Sequence, residues 1–347
     1  MPALLRWILR QGPANPIAVR LVQNGSRRSR HLYIRATYLA VLIVTLLWLL
    51  LLNAGQGALT YRQLAGAGAS AFTWIAYLQV LLICVLAPVF MGGAIAQEAS
   101  PRTWEVLLTT PLTSAEIVLG NLFGRLFFVL ALLVASLPLF ALTQYYGGVP
   151  GTAVFASYLV AGCAALLVGA LAIALSVSRL VGKRAFFVFY VCIVSYLGVT
   201  LAVDRFMVGS NMGQSGGTGV TYMTALNPFL ALHALLNPTT YPTAPAGQYQ
   251  GLQAWMLETP VKFWCIGSAI LSAVFMGLSV FTVRTGGLHM VGSDETGVPL
   301  LQRLRGRKPT DQGGHRAPKH VWTNPIAWRE AASRNSQPSK IVARWAF

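Results

Sequence analysis

Apolar residues run along this chain in blocks of about twenty, separated by short polar stretches. Six such runs can be traced, at about 37–53, 71–96, 117–143, 152–178, 185–203 and 262–283. Each has the length a helix needs to cross the hydrocarbon core of a bilayer. Small residues follow the first run, at Ala54-Gly-Gln-Gly-Ala58, but it begins too far into the chain for a cleaved signal peptide and reads as a span. The pattern predicts an all-α polytopic membrane protein with six transmembrane helices. Residues 1–36 form an amphipathic lead-in and 37–284 the membrane domain, with a polar segment at 97–116 and a long loop at 204–261. Residues 285–347 form a basic tail.

The polar segment between the second and third spans is the most structured of the interruptions. Ser100-Pro101 is a helix start, a hydroxyl that can accept an orphan N–H followed by a residue that lacks one. Trp104, Leu107 and Leu108 then share one face at i, i+3 and i+4, with Glu98, Arg102 and Glu105 as a polar rim. Pro111 ends this short helix, and Thr113-Ser-Ala-Glu116 is a capping box for the helix that enters the membrane. A short helix at a membrane exit, with an apolar stripe and no catalytic group, points to docking on another protein. In the 204–261 loop, Gly209–Gly219 is flexible by composition. Asn227-Pro228 opens a short apolar helix, Phe229–Leu236, which Asn237-Pro238 ends.

Composition adds orientation and removes whole classes of function. The chain is 55% hydrophobic and 10% charged, with a mean hydropathy of +0.59, too apolar for a soluble globule. Its net charge is +17. With the N-terminus inside, segments 1–36, 97–116, 179–184 and 284–347 hold 22 of the 26 Lys and Arg. That asymmetry is the positive-inside pattern, which places both termini in the cytoplasm. It also assigns the basic clusters to anionic lipid headgroups and argues against nucleic acid.

Candidate chemistry is sparse. No Asp or Glu falls in the core of any predicted span, which argues against ion-coupled transport through an intramembrane carboxylate. Arg125, about two turns into the third span, is the one deep charge, placed to snorkel toward the headgroups or to meet an acidic group. Cys84, Cys163, Cys192 and Cys265 all lie within spans, without metal-site spacing. There is no P-loop and no His-Glu-x-x-His, and no cofactor or metal is implied. Gly213-Gln-Ser-Gly-Gly217 matches Gly-x-Ser-x-Gly but sits in a glycine-rich loop, without the strand and helix of a nucleophile elbow. Ala161, Ala165 and Gly169 make a small-residue stripe for close helix packing, and Pro88 and Pro138 predict kinks. No span carries a distinctive polar constellation that would name a substrate.

Segment 94–125 resembles the coupling region of ABC transporter type-2 permeases, the membrane subunits of ATP-driven exporters. The family pattern is Ile-Ala-x-Glu, a basic patch, Thr-x-Glu-x-Leu-Leu-x-x-Pro-Leu-Ser/Thr and Glu-Ile-x-x-Gly-Lys. It is met by Ile95, Ala96, Glu98, Thr103, Glu105, Leu107, Leu108, Pro111, Leu112, Thr113, Glu116, Ile117 and Gly120. Ala99 and Pro101 stand where basic residues are usual, and Asn121 where lysine is.

The resemblance implies a short cytoplasmic coupling helix that docks an ABC ATPase subunit through Glu98, Arg102, Trp104, Glu105, Leu107 and Leu108. It also implies a second permease copy or homologous membrane half, and a bacterial inner (plasma) membrane. An interfacial elbow helix precedes the first span in this family, and Asn15-Pro-Ile-Ala-Val-Arg20 looks like its start. The same motif recurs as Asn324-Pro-Ile-Ala-Trp-Arg329, so Asn15, Pro16 and Arg20 correspond to Asn324, Pro325 and Arg329. Segment 324–347 therefore reads as a second elbow, with the chain stopping where a further span would begin. The expected function is the permease of an ABC exporter. The alternatives are a membrane scaffold or assembly factor and, further off, an intramembrane enzyme.

Overall fold

A computed structural model describes residues 12, 15–26, 29–54, 60–91, 112–146, 148–177, 185–209 and 219–291. Every element among them is a helix: α1 (Pro16–Ser26), α2 (Ser29–Ala54), α3 (Tyr61–Met91), α4 (Ser114–Tyr145), α5 (Gly151–Val177), α6 (Ala185–Gly209), α7 (Pro228–Leu236), α8 (Gly251–Glu258) and α9 (Pro260–Val291). Six of these, α2 to α6 and α9, are long and apolar enough to cross a membrane, and they correspond one to one with the six apolar runs. All belong to one compact unit within Met1–Asp294.

The bundle is organised around α5, which packs against α3, α4, α6, α7 and α9. Its composition explains that position. Ala161, Ala164, Ala165 and Ala170 are buried and let neighbouring backbones come close. At Gly169 the space a Cβ would need is taken by the Met91 Cε, at 2.7 Å. Between membrane helices there is no water to expel, so this kind of van der Waals fit has to hold the bundle together. The core continues through Leu42 of α2, Ile75 and Ile83 of α3, and Val129, Leu132 and Phe140 of α4.

The capping box predicted for α4 forms. Thr113 Oγ1 accepts from the Glu116 N–H at 3.2 Å, and Glu116 Oε2 accepts from the Thr113 N–H at 2.8 Å. Helices α3 and α4 continue through Pro88 and Pro138 without ending. The Tyr190 hydroxyl of α6 donates to the Val85 carbonyl, one residue beyond the carbonyl that Pro88 leaves without its N–H.

The short helix after Asn227 also forms. Asn227 Oδ1 accepts from the Phe229 N–H at 2.8 Å, and Pro228 occupies the first turn, where its missing N–H is harmless. This helix, α7, is drawn into the bundle against α3, α5 and α9, with Ala231 and Leu232 fully buried. A second short helix, α8, leads into α9 and was not foreseen from the sequence pattern. In contrast, α2 and α6 turn much of their apolar surface outward, including Val44, Leu47, Trp48 and Leu51 on α2 and Phe187, Val194 and Val199 on α6.

Candidate functional site

One polar construction lies at the base of the bundle, where α4 begins. It starts with Asn15, which is fully buried. Its Oδ1 caps α1 by accepting from the Ile17 N–H at 2.9 Å, while its Nδ2 donates 2.8 Å to the Glu116 carbonyl in the first turn of α4. One side chain thus starts one helix and ties it to another. The closeness this needs comes from Gly120 and Gly124. A Cβ at Gly120 would lie 2.4 Å from Asn15 Oδ1, and one at Gly124 would lie 3.0 Å from the Ala18 Cα. The Glu116-Ile-x-x-Gly120 motif is therefore a seat for α1. Asn121, where the family has lysine, is buried and donates to the Ile117 carbonyl at 3.1 Å.

Arg125 lies on the same stretch of α4. Its Nη1 donates 2.8 Å to the Phe90 carbonyl, next to the last described residue of α3. The deep charge thus bonds the backbone of a neighbouring helix. The His31 ring of α2 stacks on Phe128 of α4, with centroids 4.5 Å apart, and on Phe90 of α3 at 5.5 Å. Phe128 in turn fills the space beside Gly25 at the end of α1. Four helices meet here, and the contacts flank the polar segment at Phe90 of α3 and at Glu116 of α4.

Of the site residues expected from sequence, Asn15 caps α1, and Pro16 and Arg20 belong to it. Asn15 faces inward, and Pro16 and Arg20 are exposed. Glu98, Arg102, Trp104, Glu105, Leu107, Leu108, Asn324, Pro325 and Arg329 lie outside the described residues.

A family model described as ABC-2 family transporter protein matches residues 26–284, three-quarters of the chain. The chain belongs to that family. No curated protein matches it in sequence. The protein is thus a permease component of an ABC transporter, a multi-pass membrane protein whose family works with an ABC ATPase subunit.

Two polar groupings in this ABC-2 permease were not picked out from its sequence. The first is at mid-bundle. Ser136 Oγ lies 3.3 Å from the Tyr38 hydroxyl, 3.2 Å from Gln79 Nε2 and 2.9 Å from the Tyr158 hydroxyl, and it donates 2.8 Å to the Leu133 carbonyl. Four helices each supply one residue, too far apart in the chain for any motif. Tyr38, Gln79 and Ser136 are buried, so the group is a packed knot rather than a substrate cavity.

The second grouping pins α6. Tyr196, Thr200 and Asp204 fall at i, i+4 and i+8, a single polar stripe in an apolar helix. The Tyr196 hydroxyl donates to the Leu226 carbonyl, and Asn227 Nδ2 donates 2.7 Å to Thr200 Oγ1. The Thr221 hydroxyl donates to Asp204 Oδ1, which the Tyr241 hydroxyl also reaches at 3.3 Å. Asp204 is only 2% exposed, and the apolar part of α6 extends to Val208. The span is thus longer than the 185–203 run and does contain a carboxylate, satisfied by its neighbours. That stripe was the available sequence signal.

Beside it, His233 Nδ1 lies 2.7 Å from the Tyr77 hydroxyl and 3.1 Å from Asn237 Nδ2. Burial lowers the His233 pKa, helped by Arg205 and opposed by Asp204. Burial likewise pushes Tyr241 up to about 12.

Proposed function

We propose that the chain is the permease subunit of an ABC exporter, powered by separate ATPase subunits that dock on the 97–116 segment from the cytoplasm. The observation that carries this reading is the clamped base. The elbow helix is seated on α4 through Asn15 and Gly120, and Arg125 joins the end of α3 to α4. A push on the segment between α3 and α4 would therefore move α1 to α4 together instead of flexing a loop. The orientation follows from the basic residues, with both termini cytoplasmic, and the setting is a bacterial inner membrane.

Trp104, Leu107 and Leu108 form the docking face, with Glu98, Arg102 and Glu105 around it. The outward apolar faces of α2 and α6 leave surface for lipid and for a second permease copy or homologous half, which a pathway between two bundles requires. Arg20, with the basic lead-in and tail, meets anionic headgroups. The chain itself is assigned no catalysis.

The test is recruitment of an ABC ATPase subunit by the chain. Trp104→Ala with Leu108→Ala should leave membrane insertion intact. Interface aromatics commonly contribute roughly 2 kcal/mol or more, so capture in a pull-down should fall at least about thirtyfold. Full recruitment by the double variant would remove the docking role from this face.

A further inference from the structure

Helix α8 is short, and its two sides differ in kind. Leu252, Trp255 and Met256 fall at i, i+3 and i+4 on one face of Gly251–Glu258. Leu252 is 65% and Trp255 38% exposed, so the face is apolar and open. Leu257, about 140° round the helix from Leu252, points another way. It is buried with Val220, Ala234 and Ala244 in a small core of its own. Backbone donors fix that side. The Ala244 N–H donates 3.1 Å to the Leu257 carbonyl, and the Gly247 N–H donates 2.9 Å to Glu258 Oε1. The open face is therefore held in one direction.

What it faces is set by α9. Only Thr259 separates α8 from Pro260, where the last span begins. The Trp255 ring meets Phe263 of α9 edge-on, with centroids 5.1 Å apart. Beside Phe263, Lys262, Ile266, Ile270 and Val274 are all exposed at steps of four, which makes them the outer stripe of a membrane-spanning helix. Lys262 opens that stripe, and a lysine there carries its ammonium up to the headgroups. Helix α8 thus lies where the bilayer passes from headgroup to hydrocarbon, the level that tryptophan favours. Its open face continues the lipid-facing surface of α9 through the Trp255–Phe263 contact.

We propose that α8 is an interfacial anchor, with its Leu252–Trp255–Met256 face lying in the phospholipid boundary layer of the leaflet away from α1. The buried side of α8 then joins that lipid surface to α7, because Leu257 and Ala234 of α7 share one small core. The inference rests on the membrane-spanning fold and not on transport, so lipid contact and ATPase recruitment can fail independently.

The test places nitroxide labels at single cysteines in the full chain, with the four native cysteines replaced, in vesicles of phosphatidylethanolamine and phosphatidylglycerol. Collisions with oxygen, which concentrates in the bilayer, and with a neutral nickel chelate, which stays in water, report what surrounds each label. Leu252→Cys and Trp255→Cys should admit oxygen as Ile270→Cys on α9 does. Their chelate collisions should be about tenfold below those at Thr239→Cys, since a polar solute is disfavoured away from water. Gln253→Cys, on the flank of the helix, should admit more chelate than either neighbour, an alternation that a misfolded segment would not produce. Chelate access at Leu252 and Trp255 equal to that at Thr239 would put the face in water. Shielding from oxygen and chelate alike would mean that protein covers it, a second copy if dilution to one chain per vesicle restores oxygen access. Either result would overturn the proposal.

Discussion

Asn15 shows how much a single side chain can organise in this permease. Its oxygen caps α1 and its amide nitrogen holds the first turn of α4, and both roles depend on Gly120 having no Cβ. Asn15→Ala should lower stability by roughly 1–2 kcal/mol, the usual cost of a lost N-cap with a buried partner left unpaired. Asn15→Asp keeps the cap but turns a carboxylate toward the Glu116 carbonyl, so it should recover only part of that loss. Gly120→Leu should cost about 1–3 kcal/mol by overpacking and lift α1 from α4. Thermal unfolding of the detergent-solubilised chain, with protease sensitivity at the α1–α2 junction, measures both effects. A Gly120→Leu chain as stable and as protease-resistant as the wild type would mean that α1 is not seated there.

At the scale of elements, hydrogen bonds tie α6 to Leu226 and Asn227 just ahead of α7, and tie His233 of α7 to Tyr77 of α3. The His233 contacts need a bare Nδ1, since Asn237 Nδ2 can only donate. Burial is the main reason the His233 pKa is lowered, so the unfolded state takes up a proton at a higher pH than the folded state does. Its contribution to stability is therefore complete above the ordinary histidine pKa of about 6.5. It declines as the pH falls from there toward the lower folded value. Hydrogen exchange across α7 should accelerate in mild acid relative to neutral pH. In His233→Asn, which has no group titrating in that range, the acid-dependent increase should disappear. An equal acid response in both chains would place the sensitivity elsewhere.

Among the described residues, apolar surface is turned inward around α5 and outward on α2, α6 and α9. The orientation of the whole molecule rests on charge. In a chain with the four native cysteines replaced, single cysteines at Ser210 or Thr239 should react with an impermeant thiol reagent on intact cells. Those at Thr103 or Gly182 should react only after permeabilisation. Labelling of Thr103 but not Ser210 would invert the bundle and place the 97–116 segment outside.

The sequence by itself determined the class, the six spans and the local starts of helices, because these depend on the length of apolar runs and on residues a few positions apart. The Thr113–Glu116 box, the Asn227-Pro228 start and the Ala161–Gly169 stripe are all of this kind. Tertiary structure decided which distant residues share a point. Ser136 meets Tyr38, Gln79 and Tyr158 from three other helices, and no periodicity within one helix records such a meeting. Arg125 read as a snorkelling charge because its partner is a backbone carbonyl, and a carbonyl has no letter of its own in the sequence. Asp204 fell outside the predicted span because hydropathy counts a carboxylate as a boundary. Only packing shows that Thr221 and Tyr241 satisfy it inside the helix end.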